Sequence, residues 1–203
     1  MWYPIKSPIW LRILYPQLLW HKNRDKKTLF LTFDDGPIPD VTPAILKILK
    51  KHKIKATFFC VGENIYKHPD IFEQILSDGH SVGNHTYHHL KGWKTTKIDY
   101  LNDIERCQKL TKSNLFRPPY ARGTRAQYSE LKKTYEIVMW DVMSGDFDTS
   151  ISPEQCLQNV VKHSTNGSII VFHDNIKAKS RVLYALPKAI EHWIEKGYDF
   201  ETL

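Results

Sequence analysis

From residue 28 onward the sequence predicts an α/β fold with parallel strands, and three observations carry that reading. Short apolar runs of strand length alternate with stretches whose apolar residues recur at helical spacing. A helix between two strands acts as a crossover, and crossovers join parallel neighbours. The polar motifs stand at the carboxyl ends of the strands, where a parallel barrel gathers its functional groups around one mouth.

The first strand spans residues 28–34, Thr-Leu-Phe-Leu-Thr-Phe-Asp. Thr42-Pro43 reads as an N-cap with proline at the first helical position, ahead of Ile45, Leu46, Ile48 and Leu49 on one face. Residues 55–61 form a second strand, ended by Gly62. The next helix carries Ile71, Phe72, Ile75 and Leu76 and stops at Gly79. Residues 80–83 are a short third strand. Thr96 caps a helix carrying Ile98, Leu101, Ile104 and Leu110, with Asp99 three residues on. Residues 115–117 are a fourth strand, residues 125–133 are helical, and residues 135–142 are a fifth strand. Ser152-Pro153-Glu154 opens a further helix. Gly167 precedes a sixth strand at 168–172, a helix over 181–196 ends at Gly197, and residues 198–203 form a seventh strand.

A chain of 203 residues, 41% hydrophobic and 25% charged, fits one soluble globular domain. No apolar run is long enough to span a membrane. Cys60, Cys107 and Cys156 are scattered, which argues against a disulfide framework and against a zinc ribbon. The net charge of +7 fits a lysine-rich surface or attraction to a polyanion. The basic residues are spread out and no nucleic-acid motif accompanies them, so no nucleic-acid partner is expected. A monomer is expected.

Residues 1–27 stand apart from the catalytic stretch at 28–203. Trp2, Tyr3, Trp10, Tyr15 and Trp20 crowd among aliphatic residues, and Pro4, Pro8 and Pro16 interrupt them. Residues 21–28 form a polar connector. Arg12 and the prolines spoil the unbroken apolar core of a secretory signal. Two readings remain for residues 1–20: an apolar cover on the domain, or an interfacial anchor making peripheral membrane contact.

The chemistry lies in the strand-end motifs. Asp34 and Asp35 close a buried strand, and burying a carboxylate costs several kcal/mol or more unless something pairs with it. His85 and His89 are four residues apart, so on a helical turn both rings face one way and can share an ion. His88 competes for the same face. With one aspartate they make three ligands and leave room for water and substrate, as catalytic metal sites do. The other aspartate is left as a base and needs a cation beside it. Arg117, held rigid by Pro118-Pro119, has the planar group for that. His173 suits a general acid, and Asp146 could hold its ring.

These motifs resemble the polysaccharide deacetylases, the NodB-homology domain of carbohydrate esterase family 4. The likeness runs over residues 28–203. Thr32-Phe33-Asp34-Asp35-Gly36, His85-Thr86-x-x-His89, Arg117-Pro118-Pro119-Tyr120, Ser144-Gly145-Asp146-Phe147 and Ile169 to His173 match five family motifs in order. The resemblance implies a distorted (β/α)7 barrel and removal of acetyl groups from a polymeric sugar. By that likeness Asp35, His85 and His89 bind a divalent metal, zinc first, with cobalt or nickel as alternatives. Asp34 is the base, positioned by Arg117. The backbone N–H of Tyr120, after Pro119, stabilises the oxyanion. His173 is the acid, tuned by Asp146, and Val171 lines the acetyl-methyl pocket. Phe147 stands where the family usually has Trp, reshaping one wall of the groove, and Ala121 stands where it usually has Gly.

The expected substrate is peptidoglycan, at its N-acetylglucosamine units, ahead of chitin-like polymers. That class places the enzyme in the cell envelope or at a membrane. Three rivals remain: an O-deacetylase of acetylated xylan, a non-catalytic sugar-binding domain that keeps the metal, and an iron-dependent oxygenase built on the same triad.

Overall fold

The computed structural model describes residues 3–203. Its strands are β1 (Thr28–Asp34), β2 (Thr57–Cys60), β3 (Ser81–Asn84), β4 (Leu115–Phe116), β5 (Glu136–Ile137), β6 (Val142–Met143), β7 (Ile169–His173) and β8 (Asp199–Phe200). Its helices are α1 (Ile9–Leu14), α2 (Thr42–Lys51), α3 (Gly62–Lys67), α4 (Pro69–Ser77), α5 (Lys97–Thr111), α6 (Arg125–Leu131), α7 (Pro153–His163) and α8 (Lys179–Glu195). The strand order is β5-β4-β3-β2-β1-β7-β6, with β8 added beside β1, and the strand pairs are parallel. The parallel α/β fold expected from the alternation is the fold observed.

Strand period sets the layers. Leu29, Leu31 and Phe33 of β1 pack into the core under the helices, with Ile170 and Phe172 of β7. Phe30 and Ile169 point the other way, with Phe59, Leu115 and Val138, and fill the barrel interior. Thr32, Asp34 and His173 continue that inner face toward the mouth. β1 is thus buried along its whole length.

The fifth strand departs from expectation, because residues 135–142 form two short strands with a break between them. The Val138 N–H donates to the Phe116 carbonyl, whereas the Asp141 N–H donates to Ile169 on the far edge. The segment therefore passes from the β4 edge to the β7 edge and curls the sheet into a barrel. At the break, the carbonyls of Val138 and Met139 accept from the Arg117 guanidinium at 3.3 and 2.9 Å. Those carbonyls serve the side chain, while Leu19 bonds the Ile137 carbonyl and the Met139 N–H from the other edge.

Three smaller expectations also change. Helix α2 starts at Thr42 with Val41 as its cap, and the Thr42 hydroxyl donates to Asp174 instead. Helix α3 has only six residues, too few to show a period in the sequence. The terminal strand shrinks to Asp199–Phe200, paired with Thr28 and Leu29. The capping residues Thr96 and Ser152 do accept from the N–H groups three residues on.

Residues 3–27 pack along the closing segment. Leu19 and Lys6 make bridges to Val138 and Val142, and Leu18 and Trp20 enter a cluster with Tyr100, Ile104 and Phe116. Asp141 is fully buried and accepts from Lys6 Nζ at 2.8 Å, Arg24 at 3.1 Å, Ser168 at 2.6 Å and Arg12. Burial opposes its charge, but Lys6, Ser168 and Arg24 prevail and hold Asp141 below the usual carboxylate range. Helix α1 nonetheless leaves Ile9, Trp10, Ile13 and Leu14 exposed. Among the described residues no helix is long and apolar enough to cross a membrane.

Candidate active site

Asp34 and His173 are register partners at the carboxyl ends of β1 and β7. Beside them, Asp35, His85 and His89 bring one donor atom each to within 4.8 Å of one another. The Asp35 Oδ1 atom lies 3.1 Å from His89 Nε2 and 3.6 Å from His85 Nε2. Bonds of about 2.0–2.1 Å in a tetrahedron separate neighbouring donors by roughly 3.3 Å, so this set fits a zinc-sized ion. Held by these three, such an ion would keep positions open for other ligands.

Second contacts aim each ligand. His85 Nδ1 donates to the Arg117 carbonyl at 2.8 Å, which leaves Nε2 facing Asp35. Burial pushes His85 down to about 4, so at neutral pH it is an unprotonated donor. Asn175 donates to Asp35 Oδ2 at 2.6 Å, and Asn64 donates to the Asp35 carbonyl at 2.7 Å. Burial opposes ionisation of Asp35, but His89, His173 and His85 outweigh it and hold the carboxyl well below its ordinary range.

The histidines do not lie on a helical turn. Residues 85–91 form an irregular loop with Thr86 and His89 at positive φ. Asp103 of α5 shapes it, accepting the N–H groups of Tyr87 and His88 and holding the His88 ring at 2.5 Å. His88 is thereby turned away from Asp35, while the rings of His85 and His89 sit 5.0 Å apart.

Two hydrogen-bonded couples, Asp34–Arg117 and Asp146–His173, flank these three donors. Arg117 Nη1 donates to Asp34 Oδ1 at 2.6 Å and to Thr32 at 2.8 Å. Asp146 holds His173, accepting from its backbone N–H and from Nδ1, both at 2.7 Å. Burial would lower the His173 pKa, but Asp146, with Asp35 and Asp34 beyond it, lifts it to about 9. Asp174 braces the turn after Asp35 by accepting the Gly36 N–H at 2.8 Å. A Cβ on Gly36 would fall 1.8 Å from Asp174 Oδ2, so no larger residue fits there.

Tyr120 follows the buried Pro119 with φ at +59°, a strained conformation for a non-glycine residue. Its N–H has no hydrogen-bond partner among the described residues, and its ring lies 4.8 Å from that of His89. Val171 is buried two residues before His173, on the same face of β7. Phe147 packs 5.2 Å from the His173 ring and 5.0 Å from Tyr3, whose hydroxyl donates to Asp148. The N-terminal segment therefore reaches the wall of the site.

A family model described as polysaccharide deacetylase matches residues 21–137. The chain belongs to the polysaccharide deacetylase family. Membership brings the enzyme class and the hydrolase chemistry expected from the motifs. A peptidoglycan-N-acetylglucosamine deacetylase of Bacillus cereus is 32% identical over 191 residues, covering 91% of this chain and 90% of that protein. A crystal structure of a peptidoglycan N-acetylglucosamine deacetylase with 4-naphthalen-1-yl-N-oxidanyl-benzamide superposes with a TM-score of 0.90 at 32% identity. That match covers 100% of this deacetylase and 95% of the other chain. The Xyl-CE4 domain of a multidomain xylanase, from the hindgut metagenome of Trinervitermes trinervoides, gives a TM-score of 0.80 at 29% identity. It covers 88% of each chain.

Sequence reasoning passed over Asp103, Asp174 and Asn175, and did not connect Tyr3 with Phe147. Asp174 carried a signal, standing next to His173 as a second buried carboxylate. Asp103 and Asn175 carried none, since each acts through a fold that brings distant elements together.

Proposed function

We propose that this deacetylase removes N-acetyl groups from N-acetylglucosamine units of a polysaccharide, with peptidoglycan as the first candidate. The observation that carries the reading is the pair of opposed couples, Asp34–Arg117 and His173–Asp146, on either side of Asp35, His85 and His89. Such an arrangement supports a base and an acid placed on opposite sides of one site.

A divalent cation held by Asp35, His85 and His89 would polarise the acetyl carbonyl and acidify water. Asp34, oriented by Arg117, accepts the proton of the attacking water. The free N–H of Tyr120 donates to the oxyanion. His173 protonates the leaving amine, which is too basic to depart as an anion. Val171 and Pro119 bound the space for the acetyl methyl, and Phe147 walls the groove on the His173 side. We infer from that substrate class that the enzyme acts in the cell envelope.

Acetate release from chitopentaose, peptidoglycan and acetylxylan, each with added zinc or cobalt, tests the reading. Release from the N-acetylated substrates, abolished by a chelator and restored by metal, is expected. Release from acetylxylan alone would favour O-deacetylation. Binding without release from any of the three would favour a sugar-binding domain.

A further inference from the structure

Beside the mouth lies a patch of side chains that the reaction does not use. Trp93 is 62% exposed, although its indole is fixed at one edge by an Nε1–H bond to the Gly123 carbonyl at 2.9 Å. The Arg122 guanidinium lies 5.0 Å from the ring centroid. Next to it, the Lys91 ammonium sits 4.5 Å over the half-exposed ring of Tyr120, which in turn contacts His89. The patch is thus continuous with the catalytic mouth.

The two segments that carry it are sewn together before any ligand arrives. The Gly92 N–H donates to the Arg122 carbonyl at 3.2 Å, and Gln127 Nε2 donates to the Gly92 carbonyl at 3.0 Å. A Cβ on Gly92 would meet the Arg122 carbonyl oxygen at 2.5 Å, so the segments meet backbone to backbone. An exposed indole held this firmly is a preorganised surface.

Its charge has one sign. Residues 91–98 and 118–129 contain Lys91, Lys94, Lys97, Arg122 and Arg125 and no carboxylate. Lys97 pairs with Glu130, but Lys91, Lys94, Arg122 and Arg125 are exposed and in no salt bridge among the described residues. Packing explains neither the open indole nor the unpaired cations. An aromatic plate suits the apolar face of a sugar ring, and unpaired cations suit carboxylates.

We propose that Trp93, Arg122, Lys91 and Tyr120 form a glycan subsite beside the catalytic mouth. It takes the stretch of polymer flanking the reacting sugar, with a ring on the Trp93 indole and a sugar-borne carboxylate at Arg122 and Lys91. The ligand class is therefore an N-acetylated glycan carrying carboxylates. This rests on the deacetylase reading above and adds to it the acidic character of the substrate.

The test compares two glycans of equal length: a neutral β-linked N-acetylglucosamine oligomer, and one whose alternate sugars carry a lactyl carboxylate. Arg122→Gln and Lys91→Gln are surface changes, and an unchanged melting temperature verifies the fold of each. Each should raise KM for the carboxylated glycan on the order of tenfold, the worth of one charge-assisted hydrogen bond. Both should change KM for the neutral oligomer far less than KM for the carboxylated glycan. Trp93→Ala should raise KM for both glycans, and Trp93→Phe should restore most of the loss. Added salt should raise wild-type KM for the carboxylated glycan more than that of Arg122→Gln. A carboxylated-to-neutral KM ratio in Arg122→Gln and Lys91→Gln identical to that of wild type would overturn the subsite. If wild type released acetate from neither glycan, the deacetylase reading would fail instead. Calorimetric binding of the carboxylated glycan to wild type and Arg122→Gln would then decide the subsite, with equal affinities overturning it.

Discussion

Arg117 donates to Asp34 Oδ1 at 2.6 Å while its own side chain is fully shielded from water. The same guanidinium also reaches Thr32, Val138 and Met139, so it fixes Asp34 and the break in the barrel wall together. Removing one partner of a buried ion pair strands the other, at a cost of about 3–5 kcal/mol. Arg117→Ala should therefore lose stability by that order in chemical denaturation. Arg117→Lys should recover little, because an ammonium cannot span the four oxygens. Wild-type stability in Arg117→Ala would contradict the pairing.

Metal affinity should follow the direction in which each ring points. His89→Ala removes a ligand and should weaken zinc binding far more than His88→Ala, since His88 is held by Asp103. Asn175→Ala frees Asp35 Oδ2 and should cost on the order of 10–100-fold, the usual effect of such supporting contacts. Chelator competition reads all three variants without an activity assay. A larger loss in His88→Ala would mean that the wrong ring had been assigned.

The His173 prediction is one of pH. The acid role proposed for it requires the protonated ring, so kcat/KM should fall as pH rises through its pKa, about 9 in this structure. The raised pKa also stabilises the fold. That contribution is complete below about 6.5, the ordinary histidine value, and is lost as pH rises through about 9. Asp146→Asn should lower the titration midpoint of His173 in a proton NMR titration. An unmoved midpoint would remove Asp146 from the account.

Deleting residues 1–20 tests the aromatic segment. The deletion strips Lys6 and Arg12 from the buried Asp141, takes Leu18 and Trp20 from their cluster, and removes Tyr3 from Phe147. A clear drop in melting temperature is expected. We also propose that the exposed Ile9, Trp10, Ile13 and Leu14 touch an anionic membrane surface. Trp10→Ser with Ile13→Ser should weaken flotation with anionic vesicles while keeping the fold. Unchanged flotation would reject the contact.

Legibility in the sequence followed the range of each interaction. The strands β1 and β7, the caps Thr96 and Ser152, and the strand-end charges announce themselves within a few neighbouring residues. The break in the fifth strand did not, because it depends on Arg117 reaching Val138 and Met139 across the barrel. The His85–His89 spacing pointed to a shared ion, but the loop gains its shape from Asp103, more than a dozen residues away. Thr42 looked like a cap because Pro43 follows it, whereas Asp174 claims its hydroxyl.

The most direct measurement of the central claim counts acetate and free amine released from an N-acetylglucosamine oligomer by zinc-loaded wild type and Asp34→Asn. Equal yields of acetate and amine are predicted for wild type. Asp34→Asn should lose on the order of 10²–10⁴ in rate, the range for a general acid–base group, with its zinc content unchanged. A wild-type rate in zinc-replete Asp34→Asn would contradict the assignment of Asp34 as the base.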